Sequence, residues 1–193
     1  MVDTTERKLP DSVYHLYGHV SPAEMQLLYD LASSVPRNGT IVEIGSFQGK
    51  STVCLGLGAK ASGANVWAID PHNEHQETAQ TRYGMHNHAA LLMNLCLHEV
   101  ADVVRVVALR SEWVAEVWAF AIELLWIDGA HEYESVRADL FNWSYYARRI
   151  AVHDSSGHFP GVTRAVKEFL MLNDAWKAIR TVDAITLLEN TDV

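Results

Sequence analysis

The chain is poor in cysteine, in positive charge and in long apolar runs, and each shortage excludes something. Cys54 and Cys96 are the only two cysteines in 193 residues, and they form no CxxC pair. Both lie in apolar surroundings, so they are expected to be buried free thiols in a reducing compartment. Lys plus Arg number 15 against 24 Asp plus Glu, a net charge of −9. A chain this acidic lacks the clustered cations that grip a nucleic-acid backbone or an anionic membrane. The longest central apolar stretch, Val117 to Ile127, is broken by Glu123 and is too short to span a bilayer. The first ten residues carry Asp3, Glu6, Arg7 and Lys8 and no apolar core of a signal peptide. No repeat, low-complexity tract or domain boundary is visible. With 49% hydrophobic and 20% charged residues the composition is globular. The expectation is one cytoplasmic domain over residues 1–193.

Apolar patches alternate between two periods. Ser21-Pro22-Ala23-Glu24 has the form of a capping box with Pro at the first helical position. Met25, Leu28 and Leu31 follow at helical spacing. Short buried strands are read at 40–44, 66–69, 103–109, 122–127 and 150–153. Helices are read at 51–61, 89–100, 112–118, 132–143 and 161–172. Two closing strands, 176–182 and 185–189, lie close enough to form a hairpin. Strand–helix alternation means a doubly wound α/β fold. Here it predicts a mostly parallel, seven-stranded, Rossmann-like sheet with an antiparallel C-terminal hairpin. Residues 1–38 read as a helical cover. The polar segment 71–88, with His72, His75, His86 and His88, reads as a lid over a substrate.

Ligands of such sheets bind beyond the carboxyl ends of the strands, so the residues after each strand carry the functional signal. After the first comes Glu43-Ile44-Gly45-Ser46-Phe47-Gln48-Gly49-Lys50-Ser51. The three residues between Gly45 and Gly49 are one too few for a phosphate-binding P-loop, and Phe47 stands where a dinucleotide fingerprint has glycine. The remaining pattern, E-x-G-x-x-x-G-x-S, suits a ligand with positive charge near the loop, where Glu43 would face a sulfonium or ammonium. Asp70, 21 residues beyond Gly49, is placed to bind ribose hydroxyls. Ser111 follows the third strand, where it would cap the next helix or lie beside an adenine. Asp128 and His131 follow the fourth, and His153 and Asp154 end the fifth. Two acids and two imidazoles at one sheet edge suit a divalent metal or acid–base chemistry.

Together these residues resemble the class I S-adenosylmethionine-dependent methyltransferases, from about Thr40 to the C-terminus. VEIGSFQGKS is similar to the family's first motif and VWAIDP to its second. LLWIDGAHEYESVRADLFNW, VHDSS and GVTRAVKEFL resemble the branch of macrolide-sugar O-methyltransferases and cephalosporin-hydroxylase-like proteins. The resemblance implies transfer of a methyl group to a small-molecule acceptor, at a hydroxyl oxygen. It implies a cofactor site of Glu43, Gly45, Ser46, Phe47, Gly49, Ser51, Asp70, Ser111 and Asp128. His131 matches the branch's base. Asp128 and Asp154 match its metal acids, and His153 stands where some members have a further acid, as a third metal ligand or a group just behind. The metal expected on oxygen ligands is Mg²⁺. Two rivals remain on the same sheet: an NAD-dependent oxidoreductase, which Phe47 disfavours, and a non-catalytic nucleoside-binding protein. A homo-oligomer is compatible with the sequence, since the first 20 residues would either pack on a partner chain or cover the site.

Overall fold

In the computed structural model, which describes residues 9–74, 76–77 and 82–192, the chain enters through a single turn of helix, α1 (Asp11–Tyr14). The capping box is present: the Ser21 hydroxyl accepts the Glu24 N–H and the Glu24 carboxylate accepts the Ser21 N–H, starting α2 (Pro22–Ser33). Strand β1 (Thr40–Ile44) then feeds α3 (Lys50–Ser62), and β2 (Asn65–Ile69) follows. A small antiparallel pair, β3 (Gln76–Glu77) and β4 (Arg82–Tyr83), leads to α4 (Met85–Leu97). The remaining order is β5 (Val104–Val107), α5 (Ser111–Ala115), β6 (Leu124–Ile127), α6 (Tyr133–Trp143), β7 (Arg149–Val152), α7 (Pro160–Leu172), β8 (Trp176–Val182) and β9 (Ile185–Asn190).

Seven strands form one sheet in the order β5-β2-β1-β6-β7-β9-β8. The first five run parallel, while β9 pairs antiparallel with both β7 and β8. Because side chains alternate across a strand, each buried strand supplies two cores. Leu124 and Trp126 face α1–α4 together with Ile41, Val66 and Ala68. Leu125 and Ile127 face α5–α7 together with Val42, Ile44 and Val152. The chain steps from β1 to β2 on one side and later to β6 on the other. The carboxyl ends of β1 and β6 therefore flank the crevice where ligands of such sheets bind. Among the described residues no helix is long and apolar enough to cross a membrane.

The fold class is as expected; three details differ, and the packing of the first described residues is also visible. Cys54 is buried, but Cys96 is exposed, because α4 turns only Asn87, Leu91 and Leu95 inward. α4 begins at Met85, so the last four residues of the expected lid are its first turn; positions 75 and 78–81 lie outside the described residues. The third strand is shorter, Val104–Val107, since Leu109 already turns back with its N–H on the Val107 carbonyl. The first described residues cover the fold from within one chain: Leu9, Val13 and Val20 join the core, and the Tyr17 ring lies 5.9 Å from that of Phe47.

Ser21→Ala should lower the unfolding free energy by about 1 kcal/mol through loss of the cap, read from urea denaturation.

Candidate active site

The turn after β1 needs glycine for two separate reasons. Gly45 has φ +87, and a Cβ there would stand 2.2 Å from the Asp128 carbonyl oxygen, so β1 and β6 close on each other only without a side chain. Gly49, φ +90, precedes α3, and a Cβ would meet Leu91 of α4 at 2.6 Å. Between them Phe47 also takes a left-handed conformation, φ 45. The strained loop is tied down by Asp70, whose Oδ2 accepts the N–H of Ser46 at 3.0 Å and of Phe47 at 2.9 Å. From the other side Gln48 is gripped by α4: its amide donates to Asn87 Oδ1 at 3.0 Å, and Asn94 donates to its carbonyl at 2.8 Å.

Glu43 does not face this crevice. It is fully buried, and its two oxygens accept the hydroxyls of Ser51 (2.5 Å) and Thr52 (2.6 Å) at the start of α3. This corrects the expectation that it meets a ligand's positive charge, and Ser51 is likewise occupied in tying helix to strand. Burial pushes the Glu43 carboxyl up to about 8 despite those hydroxyls. Ser46 is buried, with its Oγ 3.1 Å from His72 Nε2. Ser111 does not cap α5: it is the first residue of that helix, and its hydroxyl donates to buried Asp139 of α6 at 2.5 Å.

The four residues after β6 and β7 do converge. His131 Nε2 lies 2.8 Å from Asp154 Oδ2. His153 is 5% exposed and surrounded by acid: Nδ1 is 3.0 Å from Asp128 Oδ1 and 3.2 Å from Asp154 Oδ2, and Nε2 is 3.3 Å from Glu24 Oε2. The Nδ1 contacts are a forked ion contact rather than one straight hydrogen bond. Burial opposes charge on this ring, but the three carboxylates outweigh it and push His153 up to about 12. Asp154 is held well below the ordinary carboxylate range: burial works against it, and the two histidines prevail. Its hydrogen bond raises His131 in turn. Asp154 also has φ 55, a strained conformation of a kind that clusters at functional sites. The Phe159 ring stacks on His131 at 4.2 Å and 18°.

His153 therefore fits poorly as a metal ligand, because both ring nitrogens are turned to carboxylates. The histidine that shares a cluster with Asp128 and Asp154 is His131, one ligand atom from each lying within 4.8 Å of the others. Sequence reasoning missed Glu24, Asn87, Asn94 and Asp139. Glu24 had been read only as a helix cap, and nothing in the order of residues showed that α2 reaches the end of β7.

Glu43, His131 and His153 all hold their protons more tightly when folded. The stability they add is complete below their ordinary values of 4.5 and 6.5 and is lost as pH rises through the raised ones. Burial holds His72 low, which acts in the opposite sense but only below 6.5. Urea unfolding should therefore show stability falling from pH 6.5 through about 8, where Glu43 titrates, and on toward the raised value of His153, and Glu43→Gln should flatten the fall below about 8.

The crevice and its motifs agree with what the chain is similar to. A family model described as a methyltransferase domain matches residues 42–155, from the middle of β1 to just past β7. The structure of cofactor-bound Rv0187 from MTB is 22% identical, with a TM-score of 0.67 over 94% of this chain and 85% of that one. The O-methyltransferase TomG from Streptomyces achromogenes, solved with S-adenosylmethionine, is 18% identical, with a TM-score of 0.66 over 90% and 82%. An O-methyltransferase from Bacillus cereus, solved with S-adenosylhomocysteine, is 18% identical, with a TM-score of 0.62 over 93% and 86%. These three likenesses concern the fold, whereas the family model matches this sequence itself across both glycine loop and acid–histidine cluster. The chain belongs to the methyltransferase-domain family, within the class I S-adenosylmethionine-dependent methyltransferases that its motifs resemble.

Proposed function

We propose that the protein moves the methyl group of S-adenosylmethionine to a hydroxyl oxygen of a small molecule, with His131 as the base. The observation that carries this reading is the His131–Asp154 pair, 2.8 Å apart at the carboxyl edge of the sheet, beside the β1 turn that the family uses for its cofactor. The acceptor oxygen attacks the sulfonium methyl in line, the carbon–sulfur bond breaks toward sulfur, and S-adenosylhomocysteine leaves. The acceptor proton must go elsewhere. With Nε2–H donated to Asp154, Nδ1 of His131 is the nitrogen left to take it. Asp154 holds the tautomer and stabilises the imidazolium that forms. The net charge of −9 favours a small molecule over a nucleic acid as acceptor.

The cofactor would lie on the backbone of Gly45–Gly49, with the Asp70 carboxylate, whose Oδ1 lies 3.6 Å from His72 Nδ1, toward the ribose. Ser46 and Phe47 would contribute backbone and Asp128 a wall, while Glu43, Ser51 and Ser111 support from behind. Residues 9–38 act as the cover of this single domain, and the part of the segment 71–88 that precedes α4 acts as the lid. Asp70→Ala should weaken S-adenosylhomocysteine binding about tenfold or more, since it removes charged hydrogen bonds and the tie that shapes the loop; calorimetry reads this directly.

A resident divalent metal fits this arrangement less well than a proton does. Asp128, His131 and Asp154 are chemically suitable donors, but His131 Nε2 is engaged with Asp154 Oδ2, and Asp128 Oδ1 and Asp154 Oδ2 with His153 Nδ1. A dication there would share its carboxylates with an imidazolium about 3 Å away, at a cost in like-charge repulsion. His153 supplies the positive charge that keeps the two aspartates together.

Mass spectrometry of the purified protein should find retained S-adenosylmethionine or S-adenosylhomocysteine. A labelled donor offered with a panel of hydroxyl compounds should then reveal the acceptor. His131→Ala should still bind S-adenosylhomocysteine and should lose about 10²–10⁴-fold in turnover. Exhaustive EDTA treatment should leave the wild type active; loss of turnover restored by Mg²⁺ would return the metal, on Asp128, His131 and Asp154. A variant lacking His131 that turns over normally would remove His131 as the base, and a wild type that binds S-adenosylhomocysteine but methylates nothing in the panel would leave only nucleoside binding.

A further inference from the structure

The helices around the sheet mostly show charge to solvent, and α4 does not. Its 13 residues, MHNHAALLMNLCL, include no Asp, Glu, Lys or Arg in a chain that is 20% charged. Its inner face is buried through Asn87, Leu91 and Leu95. Its outer face is apolar and open: Met85 is 65% exposed, Leu92 46%, Met93 59% and Leu97 68%, with Ala89 and Cys96 exposed between them. Positions 85, 89, 92, 93 and 96 follow one another at helical spacing, so these side chains form a continuous stripe. Contiguous exposed apolar surface of this kind marks an interaction site.

We infer that this stripe is a two-fold contact with a second copy of the same chain. Charge decides the occupant. A two-fold axis lays a surface on its own copy, so every formal charge near the axis meets its like. On a chain of net charge −9 few surfaces tolerate that. Two other exposed apolar groups stand among charges: Trp113 lies 5.8 Å from the Arg110 guanidinium, and Met171 and Leu172 line a groove with Arg164, Lys167 and Glu168. The α4 stripe can meet itself with no like-charge pair. An axis between Leu92 and Met93 places Leu92 against the partner's Met93 and Ala89 against the partner's Cys96. The small residues at those flanking positions allow the two helices to pack closely.

The contact has a consequence for the site, which rests on the methyltransferase reading above. The inner face of α4 holds the cofactor loop, through Asn87 and Asn94 on Gln48 and Leu91 against Gly49. A second copy on the outer face steadies the helix that steadies the loop. Dimer formation and cofactor binding are then linked, each strengthening the other by the same factor.

The test uses the full chain, with S-adenosylhomocysteine as the probe. Sedimentation or light scattering should give twice the chain's mass for the wild type at micromolar concentration. Leu92→Glu and, separately, Met93→Glu should give the single mass with an unchanged far-ultraviolet spectrum. Ala89→Cys should form a dimer-sized species without reductant, and Cys96→Ala in the same background should remove it. S-adenosylhomocysteine should bind the monomeric variants about fivefold or more weakly. A wild type that stays monomeric at all concentrations overturns the inference. So does a dimer that persists in both glutamate variants, since it would use another face. Equal affinity in dimer and monomer overturns the linkage. If no form binds S-adenosylhomocysteine while the variants still dissociate, the cofactor reading has failed and the contact stands.

Discussion

A buried positive charge among three negative ones is the constraint around which the site is built. His153 lies at the end of β7, almost without solvent, with Asp128 and Asp154 on one ring nitrogen and Glu24 on the other. None of the four tolerates burial alone, because an unpaired ion in the interior is strongly disfavoured. Together they satisfy one another. The carboxyl ends of β6 and β7 are thereby locked to α2, and Glu24 extends the lock to the β8–β9 turn through the Ala184 N–H at 2.8 Å. One helix cap near the start of the chain thus joins the acid–histidine edge to the C-terminal hairpin.

Geometry at that edge follows from the lock. Asp154, held in a left-handed conformation, aims one oxygen at both His153 and His131. His131 is fixed by that oxygen, by the Phe159 ring and by α7, which starts so close that a Cβ on Gly161 would lie 2.6 Å from the His131 carbonyl. An imidazole held on three sides would need little reorganisation to act as the proposed base. The cofactor side is stiffened differently, by backbone strain at Gly45, Phe47 and Gly49 balanced against Asp70 and the two asparagines of α4. The two halves touch where Gly45 meets the Asp128 carbonyl.

Much of the architecture was legible in the order of residues. Apolar runs of four or five residues alternating with helical stripes define a buried parallel sheet, and Asp183 between two such runs marks the closing hairpin. Gly45, Gly49, Asp70, Asp128, His131 and Asp154 could be picked out because the residues after parallel strands share one edge, whatever the packing. Boundaries were less legible: whether Met85 opens α4 or ends a loop depends on Asn87 reaching the loop after β1, a contact 39 residues away.

Partners were decided only by the tertiary structure. Glu43 looked like a ligand group because it precedes a glycine turn, yet the hydroxyls of Ser51 and Thr52, eight and nine residues on in the first turn of α3, take both its oxygens. Ser111 looked like a cap and binds Asp139 instead. His153 looked like a metal ligand and is an internal cation, because Glu24, 129 residues away, arrives at its far nitrogen. The sequence by itself determined the period of each segment, and hence the sheet, its two covered faces and the edge where chemistry gathers. Periodicity is a local property, carried by neighbours a few positions apart. Which acid faces which histidine depends on pairs brought together across the whole chain, and only the packed fold specifies those.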